Sequence, residues 1–108
     1  MPLYLTRFSY TPDTWARLIN KPEDRRAAAQ KYIESVGGKL HGFWYAFGDQ
    51  DGYNLWEAPD NVSMAAVAVA LSAGGALSTV QTTTLLTVEE TLAALEKARS
   101  VAYKPPGS

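Results

Sequence analysis

Residues 37–60 constrain the fold more than any other part of the chain. They read GGKLHGFWYAFGDQDGYNLWEAPD. Two stretches with the alternating, aromatic-rich composition of β-strands, 39–47 and 52–58, flank a turn rich in glycine and aspartate. Pro59 and Asp60 then suit the start of a helix, because aspartate accepts hydrogen bonds from the free amides of a first turn. The segment therefore predicts a β-hairpin followed by a helix.

Residues on both sides of this segment complete the fold class. Residues 3–10 and 77–86 have the composition of strands. Residues 13–36 have a helical pattern that is interrupted at Pro22, which suits the first turn of a second helix. A capping box at Thr87 starts a C-terminal helix. The predicted order is β-α-β-β-α-β plus that helix, a ferredoxin-like α+β fold with a four-stranded antiparallel sheet.

Composition narrows the classes of protein to which the chain can belong. Its 108 residues are 46% apolar and 11% aromatic, which predicts one folded domain over residues 1–103 and a frayed tail at 104–108. Ten basic and eleven acidic residues leave no basic stripe for nucleic acid. The most apolar stretch, 64–77, is shorter than the ~20 residues of a membrane crossing. We expect a cytoplasmic protein with neither nucleic acid nor membrane as a partner.

Metal and cofactor chemistry is not expected. The chain has one histidine and no cysteine, so the ligand sets of zinc sites are missing. Haem would have His41 as its sole plausible imidazole ligand, and the domain is small for that group. The turn at 49–51 is too short for a calcium loop.

Self-association is expected because the helix at 61–73 and the sheet have more apolar surface than a single copy of this fold can bury. The predicted helix at 61–73 is apolar almost all round, and one sheet covers only one of its sides. The strands also carry apolar side chains on both faces, whereas the helices of this fold cover one face. Pairing with an identical sheet covers the other face and predicts a homodimer, with the apolar helix allowing a higher homo-oligomer.

The central segment resembles the core of the GYD domain family of small α+β proteins. The matching motifs are GGK at 37–39, the turn with Gly48 and Asp51, and EAPD at 57–60. Family members usually carry tyrosine before the turn aspartate, whereas Gln50 stands there in this chain. The resemblance implies a dimeric α+β barrel, in which two such domains pair through their sheets.

A four-residue hairpin turn would place one set of side chains on a single sheet face. With Phe47 opposite Gly52, residues of both strands align as an aromatic and polar patch. That patch consists of His41, Phe43, Tyr45, Asn54 and Trp56. Aromatic walls with a few polar groups are typical of small-ligand pockets.

Each residue of this patch has an expected role. His41 is the proton carrier, since its ordinary pKa is near neutrality, while Tyr45 and Asn54 hold an enolate or phenolate oxygen. Phe43 and Trp56 bind a planar ring. The alternative for His41 is a structural histidine satisfied by a backbone carbonyl.

Two charged residues outside the patch, Arg7 and Asp51, each have two possible roles. Arg7 in the first strand either binds an anionic group of a substrate or pairs with Glu57 or Asp51, and the pairing is favoured. Asp51 is expected to stabilise the turn rather than to act as a catalytic carboxylate.

Two functions follow as hypotheses. The first is a small-molecule binding protein that could act as a cofactor-free oxygenase, isomerase or cyclase on a small aromatic or polyketide-like substrate. The second is a non-catalytic dimeric module that binds a metabolite or another protein.

Overall fold

The structure is a computed structural model and describes residues 1–107. The elements follow the order β-α-α-β-β-α-β-α along the chain. The strands are β1 (Leu3–Tyr10), β2 (Lys39–Tyr45), β3 (Gly52–Glu57) and β4 (Leu77–Leu85), and the helices are α1 (Pro12–Asn20), α2 (Arg25–Glu34), α3 (Asn61–Ala73) and α4 (Val88–Ala98). The tail expected at 104–108 contains no helix or strand up to Gly107, and Ser108 lies outside the described residues.

The strands form one antiparallel sheet in the order β2-β3-β1-β4. Leu3 of the central strand β1 lies opposite Glu57 of β3 on one side and Leu85 of β4 on the other. This order and direction confirm the ferredoxin-like α+β fold. The sheet has a helix-side face, with Tyr4, Thr6, Phe8, Tyr10, Asn54 and Trp56, and an open face, with Leu3, Leu5, Arg7, Trp44, Tyr53 and Leu55.

The core lies between the helix-side face and the helices α2 and α3. Trp56 and Tyr4 pack ring against ring with centroids 5.3 Å apart, and Ile33 of α2 and Val67 of α3 close over them. Trp56 Nε1 donates to Thr6 Oγ1 at 2.9 Å, so this buried indole is satisfied. Burial of these large side chains supplies most of the hydrophobic stabilisation, at about 25 cal/mol per Å² of apolar surface.

Side-chain caps fix the starts of the helices. Asp60 accepts a hydrogen bond from the amide of Ser63 at 2.8 Å and starts α3, as the sequence predicts. The capping box of Thr87 also forms as predicted. The prediction for Pro22 is wrong: α2 begins at Arg25, because the carboxylate of Asp24 accepts the bond of the first turn and proline has no such acceptor.

The hairpin between β2 and β3 is longer than predicted. Tyr45 rather than Phe47 lies opposite Gly52. Phe47 has a left-handed φ of 51°, which a strand residue does not adopt, so β2 ends before it. The register thus moves by two residues, which keeps Phe43 on the helix-side face, now opposite Asn54.

A β-bulge at His41 changes the face of the first half of β2. Leu40 pairs with Trp56 and Gly42 pairs with Leu55, so His41 is the extra residue of the bulge. Leu40 packs against the core. The bulge therefore separates His41 from the face of Phe43, and the single patch predicted for these residues is wrong.

The last helix, α4, extends away from the rest of the domain. None of its residues is buried, and its apolar residues Val88, Leu92 and Leu95 are exposed. The molecule is accordingly elongated, with extents of 59 × 34 × 23 Å. Within residues 1–107 no helix has both the length and the apolar character that would let it cross a membrane.

Candidate functional site

A cavity of about 360 Å³ lies between the helix-side face and the helices. Its floor is formed by Phe8, Phe43 and Asn54 of the sheet. Leu18 of α1, Tyr32 of α2 and Leu71 of α3 close it from above, together with the charged Arg25 and Glu23. We call this cavity the aromatic pocket. Its volume lies within the range of about 300–1,000 Å³ that is typical of small-ligand sites.

Asn54 is the polar group in the floor of the aromatic pocket. Its residue is only 3% exposed, and its Oδ1 atom is buried with no hydrogen-bond partner among residues 1–107. A buried acceptor without a partner costs about 1–3 kcal/mol, so such atoms are rare in folded proteins. Asn54 also lines the pocket, so this unsatisfied acceptor lies next to the cavity.

Two tyrosines that also line the pocket supply hydroxyl groups. Burial raises the pKa of Tyr10, and its hydrogen bond to Tyr45 (Oη to Oη, 3.3 Å) acts in the same direction. Burial also raises the pKa of Tyr32, although the positive charge of Arg25 and hydrogen bonding from Asn54 oppose it. Both hydroxyls are consequently neutral near pH 7 and can donate to an oxygen of a ligand.

Arg25 places a positive charge at the same site. Its guanidinium lies 2.9 Å from the carboxylate of Glu23, so the two charges pair at the pocket wall. The charge of Arg25 lowers the pKa of both pocket tyrosines against the larger effect of burial. A partly anionic ligand oxygen would be stabilised by that charge in the same way.

Exposed aromatic rings form a rim beside the pocket. Trp15 packs edge-on against Tyr10 with centroids 5.0 Å apart, and Tyr45 stacks on Phe47 at 6.2 Å and 14°. The left-handed φ of Phe47 holds its ring outside the sheet, where it also packs against Trp15. A planar molecule can stack on the faces of these rings beside the pocket.

Three of the six predicted site residues lie in or beside the aromatic pocket. Asn54 and Phe43 line it, and Tyr45 reaches it through its hydrogen bond to Tyr10. Trp56 lies on the same sheet face but is only 1% exposed within the core, so it does not border the cavity.

His41 and Arg7 lie on the open face, away from this pocket. His41 Nε2 lies 2.9 Å from Oε1 of Glu57, a side-chain partner rather than the backbone carbonyl that the structural alternative named. Arg7 forms neither of the ion pairs favoured from the sequence. Its cross-strand neighbour Tyr53 is four residues from Glu57, which contacts His41 instead, and the carboxylate of Asp51 accepts from Tyr10 and Trp15. The Nε atom of Arg7 is buried without a partner among residues 1–107.

Asp51 and Gln50 have structural contacts at the turn. Asp51 Oδ2 accepts from the amide of Tyr10 and from Trp15 Nε1, both at 3.0 Å. Gln50 Oε1 accepts from Ser9 Oγ at 3.1 Å and from a threonine hydroxyl of β4 at 3.0 Å. These bonds join the hairpin to β1, β4 and α1, in accord with the stabilising role expected for Asp51.

Sequence reasoning missed Tyr10, Arg25 and Tyr32 as pocket residues. Tyr10 lies on the same face of β1 as Phe8, and Tyr32 belongs to the apolar stripe of α2, so both positions face the core. A tyrosine at a core-facing position brings a hydroxyl group into the interior, and that was the signal available from the sequence. Which helix position meets which strand position depends on the packing angle of α2, and no local pattern encodes that angle.

Comparisons with known proteins agree with this architecture. The sequence model of the GYD domain matches residues 4–95, from β1 into α4. The chain belongs to the GYD domain family. This confirms the resemblance of the central segment. A comparison with curated proteins finds no match. Within residues 1–107 of this GYD domain, no group of three or more histidine, aspartate or glutamate side chains is placed to hold a metal ion.

Proposed function

We propose that this GYD domain binds a small planar molecule in the aromatic pocket. The observation that carries the proposal is the partnerless Oδ1 atom of Asn54 in the floor of a cavity lined by aromatic rings. The ligand offers a hydroxyl or N–H donor to that atom, and an oxygen that accepts from Tyr10 or Tyr32. Phenols and enols with a second oxygen satisfy both conditions, and Arg25 favours those with partial negative charge.

Binding is better supported than turnover. His41, the expected proton carrier, lies on the other side of the sheet with Glu57. The pocket hydroxyls of Tyr10 and Tyr32 have raised pKa values and act as donors rather than as bases near neutral pH. Cofactor-free chemistry on a bound enol would rely on hydrogen bonds to its oxygens from the hydroxyls of Tyr10, Tyr32 and Tyr45, while Asn54 Oδ1 accepts its O–H.

The test uses a matched pair of probes. Isothermal titration with 2-naphthol and its methyl ether, 2-methoxynaphthalene, compares the same ring system with and without the hydroxyl donor. We expect wild-type protein to prefer 2-naphthol and Asn54→Leu to lose that preference, a change of about 3- to 10-fold for one hydrogen bond. His41→Ala, on the open face of the same sheet, serves as the control and should keep it. Equal preference in wild type and Asn54→Leu would overturn the proposal.

A second proposal is self-association of the domain as a homodimer. The open face carries Leu3, Leu5 and Leu55, with Trp44 55% exposed beside them, and no helix within residues 1–107 covers it. An antiparallel sheet whose second face is apolar is stabilised by a partner on that face. This supports the dimeric module expected from the sequence, and it is compatible with a ligand in the pocket of each copy.

A further inference from the structure

α4 is a helix that no other element within residues 1–107 covers. It has 11 residues, a full capping box and an apolar stripe in which Val88, Leu92 and Leu95 are 71%, 60% and 61% exposed. Isolated helices shorter than about 12–15 residues are marginal in water, because their stability comes from packing an apolar face. Nothing in the described part of the chain buries this stripe, so it is available to a partner surface.

The exposed area of the chain indicates how large that missing contact is. Its accessible surface is 7503 Å², whereas a compact monomer of 11.8 kDa exposes about 5,900 Å². The excess of about 1,600 Å² is comparable to the 1,000–2,500 Å² that each protomer buries in an obligate homodimer. The radius of gyration, 17.5 Å against about 13 Å for a compact chain, shows the same extension. Every residue from Leu86 to Gly107 is exposed, so much of the excess lies in α4 and the segment after it.

The same chain has an open groove between α3 and β4 whose lining is mostly apolar, as is the stripe of α4. It is lined by Met64, Ala68, Val69, Ser72, Val80 and Thr82, with Val69 66% exposed. The 13 residues of α3 include no charged side chain. Alanine and serine on its outer side allow another helix to approach closely. An uncharged, outward-facing helix surface of this kind is typical of a protein contact.

We propose that α4 of one copy packs its apolar stripe into the α3–β4 groove of a second copy. The polar side of α4, with Glu90 and Lys97, then stays in solvent while Leu92 and Leu95 enter the groove. Under two-fold symmetry each copy gives one helix and receives one, so both unpartnered surfaces are covered by a single arrangement. The proposal rests on self-association and adds a contact that the open sheet face does not require.

The first experiment measures the oligomeric state of the full chain by sedimentation velocity. Leu92→Glu places a charge on the apolar stripe, and Ala93→Glu places the same charge on the opposite side of α4. We expect a wild-type dimer that Leu92→Glu weakens by at least tenfold and Ala93→Glu leaves unchanged. Circular dichroism checks that both variants are folded. A monomeric wild type overturns both self-association and the role of α4; a dimer equally tight in all three proteins overturns only the role of α4.

The second experiment locates the surface that receives α4. The chain contains no cysteine, so single cysteines can be introduced without background. A Leu92→Cys chain is mixed with a mass-tagged Val69→Cys chain and oxidised, and we expect a mixed disulfide between the two copies. Ala93→Cys is the matched control and should not form it. If Leu92→Cys instead links to Leu55→Cys on the open face, the groove is not the receiving surface and the proposal is overturned.

Discussion

The side-chain amide of Asn54 has opposite effects on folding and on binding. Its Oδ1 atom lacks a partner in the free protein, which costs free energy of folding, yet that atom is the one offered to a ligand. We expect Asn54→Leu to raise the free energy of unfolding by about 1 kcal/mol, because an apolar side chain of similar size removes the unsatisfied acceptor. Urea denaturation followed by circular dichroism measures the change.

Thr6→Val is the matched comparison for that residue. Thr6 Oγ1 is also buried but accepts from Trp56 Nε1 at 2.9 Å and bonds the hydroxyl of Thr82 at 2.9 Å. Removing it leaves a buried indole N–H unpaired, so this variant should lose about 1–3 kcal/mol. If Asn54→Leu lost as much as Thr6→Val, Oδ1 would be satisfied in the folded protein and its availability to a ligand would be refuted.

At the scale of elements, the carboxylate of Asp51 joins the β2–β3 hairpin to β1 and α1. It accepts the amide of Tyr10 and the indole N–H of Trp15, each at 3.0 Å. We expect Asp51→Ala to destabilise the protein by about 2–4 kcal/mol, since hydrogen bonds to a charged group contribute about 1.5–3 kcal/mol each and the two share one acceptor. Asp49→Ala, an exposed change in the same loop, should stay within about 0.5 kcal/mol of wild type. Equal losses in the two variants would contradict the role of Asp51.

The sequence predicted those helices and strands whose formation depends on residues close together along the chain. Residues 3–10 and 60–73 matched β1 and the capped helix α3, because strand composition and the Asp60 cap act within a few neighbours. The register of β2 was not predicted, because the length of the hairpin and the bulge at His41 depend on contacts with β3. For the same reason the sequence placed His41 beside Asn54, and half of the predicted site proved to lie elsewhere.

At the scale of the whole molecule, buried tyrosines make the free energy of unfolding depend on pH in the alkaline range. Tyr4, Tyr10 and Tyr32 have an ordinary pKa of 10.0, and burial raises the pKa of each in the folded protein. Above pH 10 the unfolded chain loses these protons while the folded protein keeps them, so unfolding releases protons and a rise in pH favours it. The stability conferred by their protonated state is fully present below pH 10 and is lost as the pH rises further.

The stability of the fold should therefore decrease at alkaline pH, and this can be measured. The free energy of unfolding should be flat up to about pH 9.5 and then fall, by at most about 1.4 kcal/mol per pH unit for each buried tyrosine. Tyr10→Phe removes one titrating group and should make the fall less steep, with Tyr103→Phe in the exposed C-terminal segment as the control. Urea denaturation at half-unit steps from pH 8 to 11.5 measures the slopes. A slope unchanged by Tyr10→Phe would mean that Tyr10 titrates alike in the folded and unfolded states, and the pocket would then be wetter than its burial implies. A reduced slope would instead support a dry pocket whose hydroxyls stay protonated to donate to a ligand.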